Sequence, residues 1–145
     1  SRLYYGSWSW GGFLTAWTIG NTKRYRAAMV GAGVTDVVIQ YVTSDINHGQ
    51  AALWEFKGNP WKNLDQFDKQ NPMRLMSRVS TPTLVAHGDN DERVPSSQGL
   101  LVYRALSDMG CEVKLLRYPR EPHGFREPAH TAHLVANWAA WFDAH

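Results

Sequence analysis

Residues 4–12 read Y-Y-G-S-W-S-W-G-G, a short apolar strand that runs into a glycine-rich turn and then into a predicted helix. Ser9 stands at the turn, and Gly11 and Gly12 follow it. A serine at a strand-to-helix turn has an exposed hydroxyl at a helix N-terminus and small neighbours, which is the pattern of a nucleophile elbow. This stretch therefore indicates a fold in which a strand feeds directly into a helix, with Ser9 as the candidate nucleophile.

Strand-like and helix-like segments alternate along the rest of the chain. We predict strands at residues 3–6, 25–31, 83–87 and 113–118. We predict the main helices at residues 13–19, 97–109 and 127–145. Gly20 and Asn21 are expected to close the first helix, Met109 to lie on the apolar face of the second, and Val135 to belong to the apolar stripe of the third. This alternation predicts an α/β fold with a mostly parallel sheet flanked by helices.

Length and composition limit the domain count and the class of partner. A chain of 145 residues is long enough for a single hydrophobic core, so we expect one domain over residues 1–145. Within it, residues 37–71 form a polar and aromatic insertion that we expect to be helical in parts. With 43% apolar residues and a dispersed net charge of +2, the chain resembles neither a disordered tail nor a protein that binds nucleic acid or a membrane surface.

The single cysteine and the absence of a long apolar run bear on the compartment. Cys111 has no partner for an intrachain disulfide, and we expect it to act as a small buried hydrophobe rather than as a reactive thiol. No stretch of the sequence approaches 18 apolar residues, the length that would predict a membrane span. A reducing compartment is the default for such a chain, so we expect a cytoplasmic location.

Two further motifs follow the third and fourth predicted strands. H-G-D-N-D-E-R-V-P covers residues 87–95, and Y-P-R-E-P-H-G-F covers residues 118–125. Acyl transfer by a serine needs a base and a carboxylate that orients the base, and the ends of parallel strands meet at one edge of a sheet. His123 is the candidate base, while Asp89 and Asp91 compete for the orienting role. This chemistry is complete without a metal or an organic cofactor.

Together, G-S-W-S-W-G-G-F, H-G-D-N-D-E-R-V-P and E-P-H-G-F resemble the catalytic domain of the prolyl oligopeptidase family, especially its acylaminoacyl-peptidase-like branch. The resemblance implies an α/β-hydrolase fold that cleaves peptide or ester bonds through a Ser-Asp-His triad. Carried over position by position, it makes Ser9 the nucleophile, His123 the base and Asp91 the acid. Asp89 then falls on a variable position of the motif.

The sequence departs from the family pattern in two respects. Ser7 stands where the family usually has glycine, and we expect modest strain at the turn. The nucleophile of the fold normally follows the fifth strand, so the resemblance covers a truncated α/β-hydrolase domain. The strands that precede the turn, the loop that donates a second hydrogen bond to the oxyanion, and a filtering propeller domain are expected to be absent. The Trp10 backbone N–H remains as the oxyanion donor.

These departures decide which activity we expect first. Loss of one oxyanion donor typically costs roughly 3–4 kcal/mol of transition-state stabilisation, which amides tolerate less well than activated esters. We therefore expect a carboxylesterase that acts on short-chain esters. The alternatives are a serine peptidase of the acylaminoacyl or prolyl oligopeptidase type, and a catalytically weak fragment that only self-associates. Because residues 3–6 would form an uncovered edge strand, we also expect a homo-oligomer, which associates either through this strand or through exposed helix faces.

Several other residues have two interpretations. We expect His87 to be structural, and we expect His130 and His133 to be solvated positions on the last helix rather than metal ligands, since no third ligand has suitable spacing. A surface ion pair is the safer interpretation of Arg126, and a contact with a substrate carboxylate is the alternative. The aromatic residues of the insertion either line an acyl pocket or pack the insertion onto the sheet; they are Tyr41, Trp54, Phe56, Trp61 and Phe67.

Overall fold

The computed structural model of this chain describes residues 3–46 and 56–145. Its centre is a parallel sheet of four strands, which lie side by side in chain order: β1 (Tyr4–Trp8), β2 (Ala27–Gly31), β3 (Thr83–Gly88) and β4 (Val113–Tyr118). In the ladder, Val30 lies opposite Val85, and Val85 lies opposite Leu115. The predicted α/β fold with a parallel sheet is confirmed. β1 is longer than predicted and continues to Trp8, directly before the turn at Ser9.

Within the described residues there are also five α-helices and one 3₁₀ helix. They are α1 (Trp10–Asn21), α2 (Val37–Thr43), α3 (Pro60–Lys69), a 3₁₀ helix (Pro72–Arg78), α4 (Ser97–Asp108) and α5 (Pro128–Ala144). None of these helices combines the length and the hydropathy that crossing a bilayer would require. Asp36 caps α2 by accepting hydrogen bonds from the backbone N–H groups of Val38 and Ile39.

The helices cover both faces of the sheet. On one face, Ala28, Val30 and Val85 pack against α1, α4 and the 3₁₀ helix. On the other face, Met29 and Leu84 pack against α5. Every residue of β2 and β3 is buried, which explains why these strands are apolar runs rather than alternating patterns. The two central strands therefore form a rigid support for the loops at their carboxyl ends.

Three details of the helix predictions are wrong. Gly20 does not close α1 but lies inside it, and the position excludes a side chain because a β-carbon there would lie 2.5 Å from Leu75 Cβ in the 3₁₀ helix. Met109 follows the last residue of α4 and is 55% exposed, where the chain turns through Gly110 at a φ of +69°. Val135 lies at the margin of the apolar stripe of α5 and is 59% exposed.

The described part of the insertion packs against itself and against α1. Phe56 and Phe67 stack at 4.4 Å between ring centroids, and both are buried in a cluster that includes Phe13 of α1. The Tyr41 ring meets the Phe67 ring edge-on at 5.9 Å. These aromatic residues therefore pack, but within the insertion and onto α1 rather than onto the sheet as one of the two interpretations had it. Trp61, in contrast, is 73% exposed, and Trp54 lies outside the described residues.

Candidate active site

The turn between β1 and α1 holds Ser9 in an unusual backbone conformation. Its φ is 62° and its ψ is −124°, a region that a residue with a side chain rarely adopts. The turn is held by two backbone hydrogen bonds, since the Ser9 N–H donates to the Gly31 carbonyl at 2.9 Å and the Phe13 N–H donates to the Ser9 carbonyl at 3.1 Å. The Ser9 hydroxyl is thereby held at the carboxyl edge of the sheet, at the start of α1.

The loop between β4 and α5 brings His123 to this hydroxyl. His123 Nε2 lies 2.8 Å from Ser9 Oγ, and His123 Nδ1 lies 2.8 Å from Asp91 Oδ2. The Trp8 indole N–H donates to the His123 carbonyl at 2.9 Å, so the strand before the turn also supports the loop that carries the imidazole. The three side chains form one continuous hydrogen-bonded chain from hydroxyl to carboxylate.

Asp91, and not Asp89, is the acid that the fold turns toward His123. The Asp91 side chain is buried, and its Oδ1 accepts a hydrogen bond from the Val94 N–H at 2.9 Å. Burial by itself would raise the pKa of Asp91, but hydrogen bonds from His123, His87 and Val94 outweigh it and lower the pKa to about 2. Asp89 instead pairs with Arg117 at 2.8 Å on the surface.

His87 lies behind the acid. It is buried, its Nε2 lies 2.7 Å from the Val94 carbonyl, and the same nitrogen is 3.5 Å from Asp91 Oδ2. The ring therefore packs against the loop that carries Asp91, in agreement with a structural role. Cys111 lies at the margin of the core, where burial raises the pKa of its thiol, and its Sγ is 3.4 Å from the Thr81 carbonyl.

The backbone N–H of Trp10 is the first of α1, so no preceding helical carbonyl can accept its hydrogen bond. The partial positive charge of the helix N-terminus adds to this donor. The Trp10 ring stacks on Phe13 at 4.3 Å and fixes the first turn of α1. An oxygen bound beside Ser9 would therefore meet a backbone donor that is already in place.

A crevice of about 340 Å³ opens beside His123. Its other lining residues are Asp45, Asn90, Glu92, Arg93, Pro122, Gly124 and Arg126. Arg93 pairs with Asp45 at 2.7 Å. Within residues 3–46 and 56–145 the Arg126 side chain has no ion-pair partner, so the expected surface ion pair is wrong. The crevice therefore offers a free guanidinium next to the imidazole.

The expectation that the two histidines of α5 are solvated is wrong, because each has a side-chain partner. His130 Nδ1 lies 2.8 Å from Glu121 Oε1, and His133 Nδ1 lies 3.0 Å from the Tyr118 hydroxyl. Glu121 and Glu127 bring carboxylates to His130, so the expectation that no further ligand has suitable spacing is wrong for His130, although this group does not include His133. Sequence reasoning missed Glu121 entirely, although a carboxylate two residues before the candidate base is a signal that could have been followed.

Comparison with known proteins adds independent information. The model of the prolyl oligopeptidase family matches residues 1–145. Acylamino-acid-releasing enzyme 1 of Oryza sativa subsp. japonica is 34% identical over 94% of this chain and 19% of its own length. The uncharacterized peptidase YuxL of Bacillus subtilis (strain 168) is 29% identical over 99% of this chain and 22% of its own length. The chain thus spans about a fifth of these relatives.

A similar fold occurs in a solved structure of acylaminoacyl peptidase in complex with Z-Gly-Gly-Phe-chloromethyl ketone. The TM-score is 0.92 at 26% sequence identity, and the match covers 98% of this chain and 23% of that chain. The match extends over nearly all of the elements described above.

Proposed function

Because the chain belongs to the prolyl oligopeptidase family, we propose that it carries the catalytic machinery of a serine peptidase of the acylaminoacyl-peptidase type. One observation carries the proposal: the hydrogen-bonded chain from Ser9 through His123 to Asp91, with 2.8 Å at each step. The Bacillus subtilis relative is named as a peptidase and the Oryza sativa relative as an acylamino-acid-releasing enzyme, and this favours the peptidase over the short-chain carboxylesterase that the sequence led us to expect first.

In the proposed reaction, His123 Nε2 takes the hydroxyl proton of Ser9 while Oγ attacks the carbonyl carbon of the substrate. The carbonyl oxygen becomes an oxyanion, and the Trp10 N–H donates a hydrogen bond to it. His123 then gives the proton to the departing amine, which leaves an acyl group on Ser9. Water, deprotonated by the same imidazole, attacks that acyl group and releases the acid. Ser9 regains its proton in this last step.

Asp91 has two roles in this scheme. Its carboxylate accepts the Nδ1–H of His123, which leaves Nε2 free to accept the proton of Ser9. It also stabilises the imidazolium that forms when His123 takes that proton. With its pKa lowered to about 2, Asp91 keeps its negative charge over the whole neutral range.

The first experiment is labelling with a fluorophosphonate, which reacts with activated serines. We expect the protein to be labelled, and we expect Ser9→Ala and His123→Ala to remove the labelling, because each removes one end of the Oγ–Nε2 hydrogen bond. Asp91→Asn should lower the labelling rate by a factor on the order of 10⁴, since the amide favours the wrong imidazole tautomer. Labelling is read by in-gel fluorescence.

Asp89→Asn is the matched control, because Asp89 lies in the same loop and pairs with Arg117 on the surface rather than with His123. It should be labelled like the wild type. A wild-type protein that is folded but not labelled would contradict the proposal and favour the catalytically weak fragment. A comparison of kcat/KM for an acyl-amino-acid anilide and for p-nitrophenyl butyrate then distinguishes a peptidase from an esterase. We expect the anilide to have the higher kcat/KM.

A further inference from the structure

Glu121 lies two residues before His123 and is 1% exposed. A carboxylate is seldom buried to this degree unless other groups compensate its charge. Here its Oε2 accepts the Arg126 N–H at 2.7 Å, and its Oε1 accepts the Glu127 N–H at 3.0 Å. His130 Nδ1 lies 2.8 Å from Oε1 and provides a third donor. The carboxylate thus binds the two residues that precede α5 and a histidine in the first turn of α5.

The backbone of Glu121 contacts the loop that carries Asp91. Its carbonyl accepts the Asn90 N–H at 3.0 Å, one residue before Asp91. Gly88 makes this approach possible, because a methyl group at Gly88 would lie 2.9 Å from the Glu121 carbonyl carbon and closer still to its oxygen. A single residue therefore joins the loop after β3 to the loop after β4.

The ionisation of Glu121 agrees with this arrangement. Burial acts to raise the pKa of its carboxyl, but hydrogen bonds from Arg126, His130 and Glu127 outweigh it and hold the pKa below its ordinary value. An ionised carboxylate accepts hydrogen bonds that are roughly twice as strong as those between neutral groups. The contacts of Glu121 with the residues after His123 are therefore those of an ionised acceptor.

We propose that Glu121 is a positioning residue, whose carboxylate holds the His123 loop against the start of α5 so that the imidazole stays within reach of both Ser9 and Asp91, while its backbone carbonyl ties the same loop to the Asp91 loop. The inference rests on the proposed function, and it adds a residue that touches neither substrate nor the reacting atoms. Glu121 is therefore expected to affect kcat, because proton transfer between Ser9 and His123 depends steeply on the distance between them.

Glu121→Gln tests the inference, since the amide has nearly the same shape but only one acceptor oxygen. Whichever way the amide is turned, its NH₂ faces either the Arg126 N–H or the Glu127 N–H, and that contact is lost. We expect kcat for the acyl-amino-acid anilide to fall by a factor of about 10 to 100, with KM nearly unchanged. The rate of fluorophosphonate labelling should fall in parallel while Ser9 remains intact.

Glu112→Gln is the matched control, because it makes the same change at an exposed carboxylate that pairs with His145, at the opposite end of α5 from His130. Its kcat should stay within about twofold of the wild type, as expected for an exposed ion pair. If folded Glu121→Gln turns over as fast as the wild type, the inference is overturned. A rise in KM with unchanged kcat would overturn it equally, because it would assign Glu121 to substrate binding.

A crystal structure of Glu121→Gln gives a readout that needs no activity, and so separates this inference from the proposed function. We expect the distance between His123 Nε2 and Ser9 Oγ to lengthen beyond 2.8 Å. An unchanged distance overturns the inference, whether or not the wild type is labelled. If Glu121→Gln does not fold, Glu121→Asp takes its place. It keeps the charge but is one methylene shorter, and it should show the same changes to a smaller degree.

Discussion

At the scale of single residues, the turn at Ser9 depends on how closely Ser7 approaches Gly11. A methyl group built on Gly11 would lie 2.6 Å from Ser7 Cβ and closer still to Ser7 Oγ. Ser7 therefore fills the space beside Gly11 and leaves no room for a second side chain. The positive φ of Ser9 is stable only because the segments on either side of it can pass each other at this distance.

We predict that Ser7→Gly leaves the labelling rate intact or raises it, because it relieves the crowding at the turn. Gly11→Ala should lower the free energy of unfolding by about 1–3 kcal/mol, the usual cost of overpacking, and should slow labelling. In the double variant the methyl group occupies the space of the Ser7 side chain, so most of this loss should be recovered. Urea unfolding and labelling rates of all four proteins measure the coupling.

Two results would contradict this interpretation. A tenfold loss of labelling in Ser7→Gly would show that Ser7 has a role of its own. If the changes in unfolding free energy of the two single variants simply add in the double variant, Ser7 and Gly11 are not in contact.

At the scale of secondary structure, α1 lies against the carboxyl end of β2 through Gly12. A methyl group on Gly12 would lie 2.6 Å from both the Gly31 carbonyl oxygen and the Gly33 Cα. Backbone atoms of a buried strand cannot move aside as a flexible side chain can. The start of α1, which carries the Ser9 turn and the Trp10 N–H, is therefore positioned by backbone contact with β2.

Gly12→Ala and Gly20→Ala form a matched pair on α1. We predict that Gly12→Ala displaces the start of the helix and lowers kcat by a factor on the order of 10², as a shift of about 1 Å in a catalytic group does. Gly20→Ala meets the Leu75 side chain instead, far from the turn, and should affect the melting temperature more than kcat. Steady-state kinetics and thermal unfolding distinguish the two. Equal losses of kcat in both variants would contradict the prediction.

At the scale of the whole molecule, the sheet has an edge at β1. Among the described residues β1 pairs only with β2, and its tyrosines at positions 4 and 5 are partly exposed. An unpaired strand edge offers backbone N–H and C=O groups to another strand. The 145-residue chain on its own therefore has a surface suited to self-association.

We predict that the 145-residue chain, when it is expressed by itself, forms oligomers at micromolar concentration. Size-exclusion chromatography with light scattering gives the mass directly. Replacement of Tyr5 by lysine places a charge on the β1 edge and should shift the population toward monomer. A stable monomer of the unmodified chain across this concentration range would show that the edge is not a site of association.

The site shows where sequence reasoning stops. The order of Ser9, Asp91 and His123 and their places after strands were readable from the chain, since parallel strands end at a common edge. The residues alone left Asp89 and Asp91 as competitors, because the sequence does not show which way each side chain points. In the structure, the turn after β3 directs Asp91 to His123 and Asp89 to Arg117. The place of Glu121 two residues before His123 was visible in the sequence, but its role was not, because two of its partners are backbone N–H groups.

By itself, the sequence determined the alternation of strands and helices, the family, and the three motifs from which the candidate site is built. These follow from local periodicity and from residue types at short spacing, which are properties of a few consecutive positions. Only the tertiary structure decided which acid meets His123, where α1 comes into contact with β2, and how Glu121 joins two loops. Such contacts link residues that are distant along the chain, and their geometry depends on how the two faces of the sheet are packed.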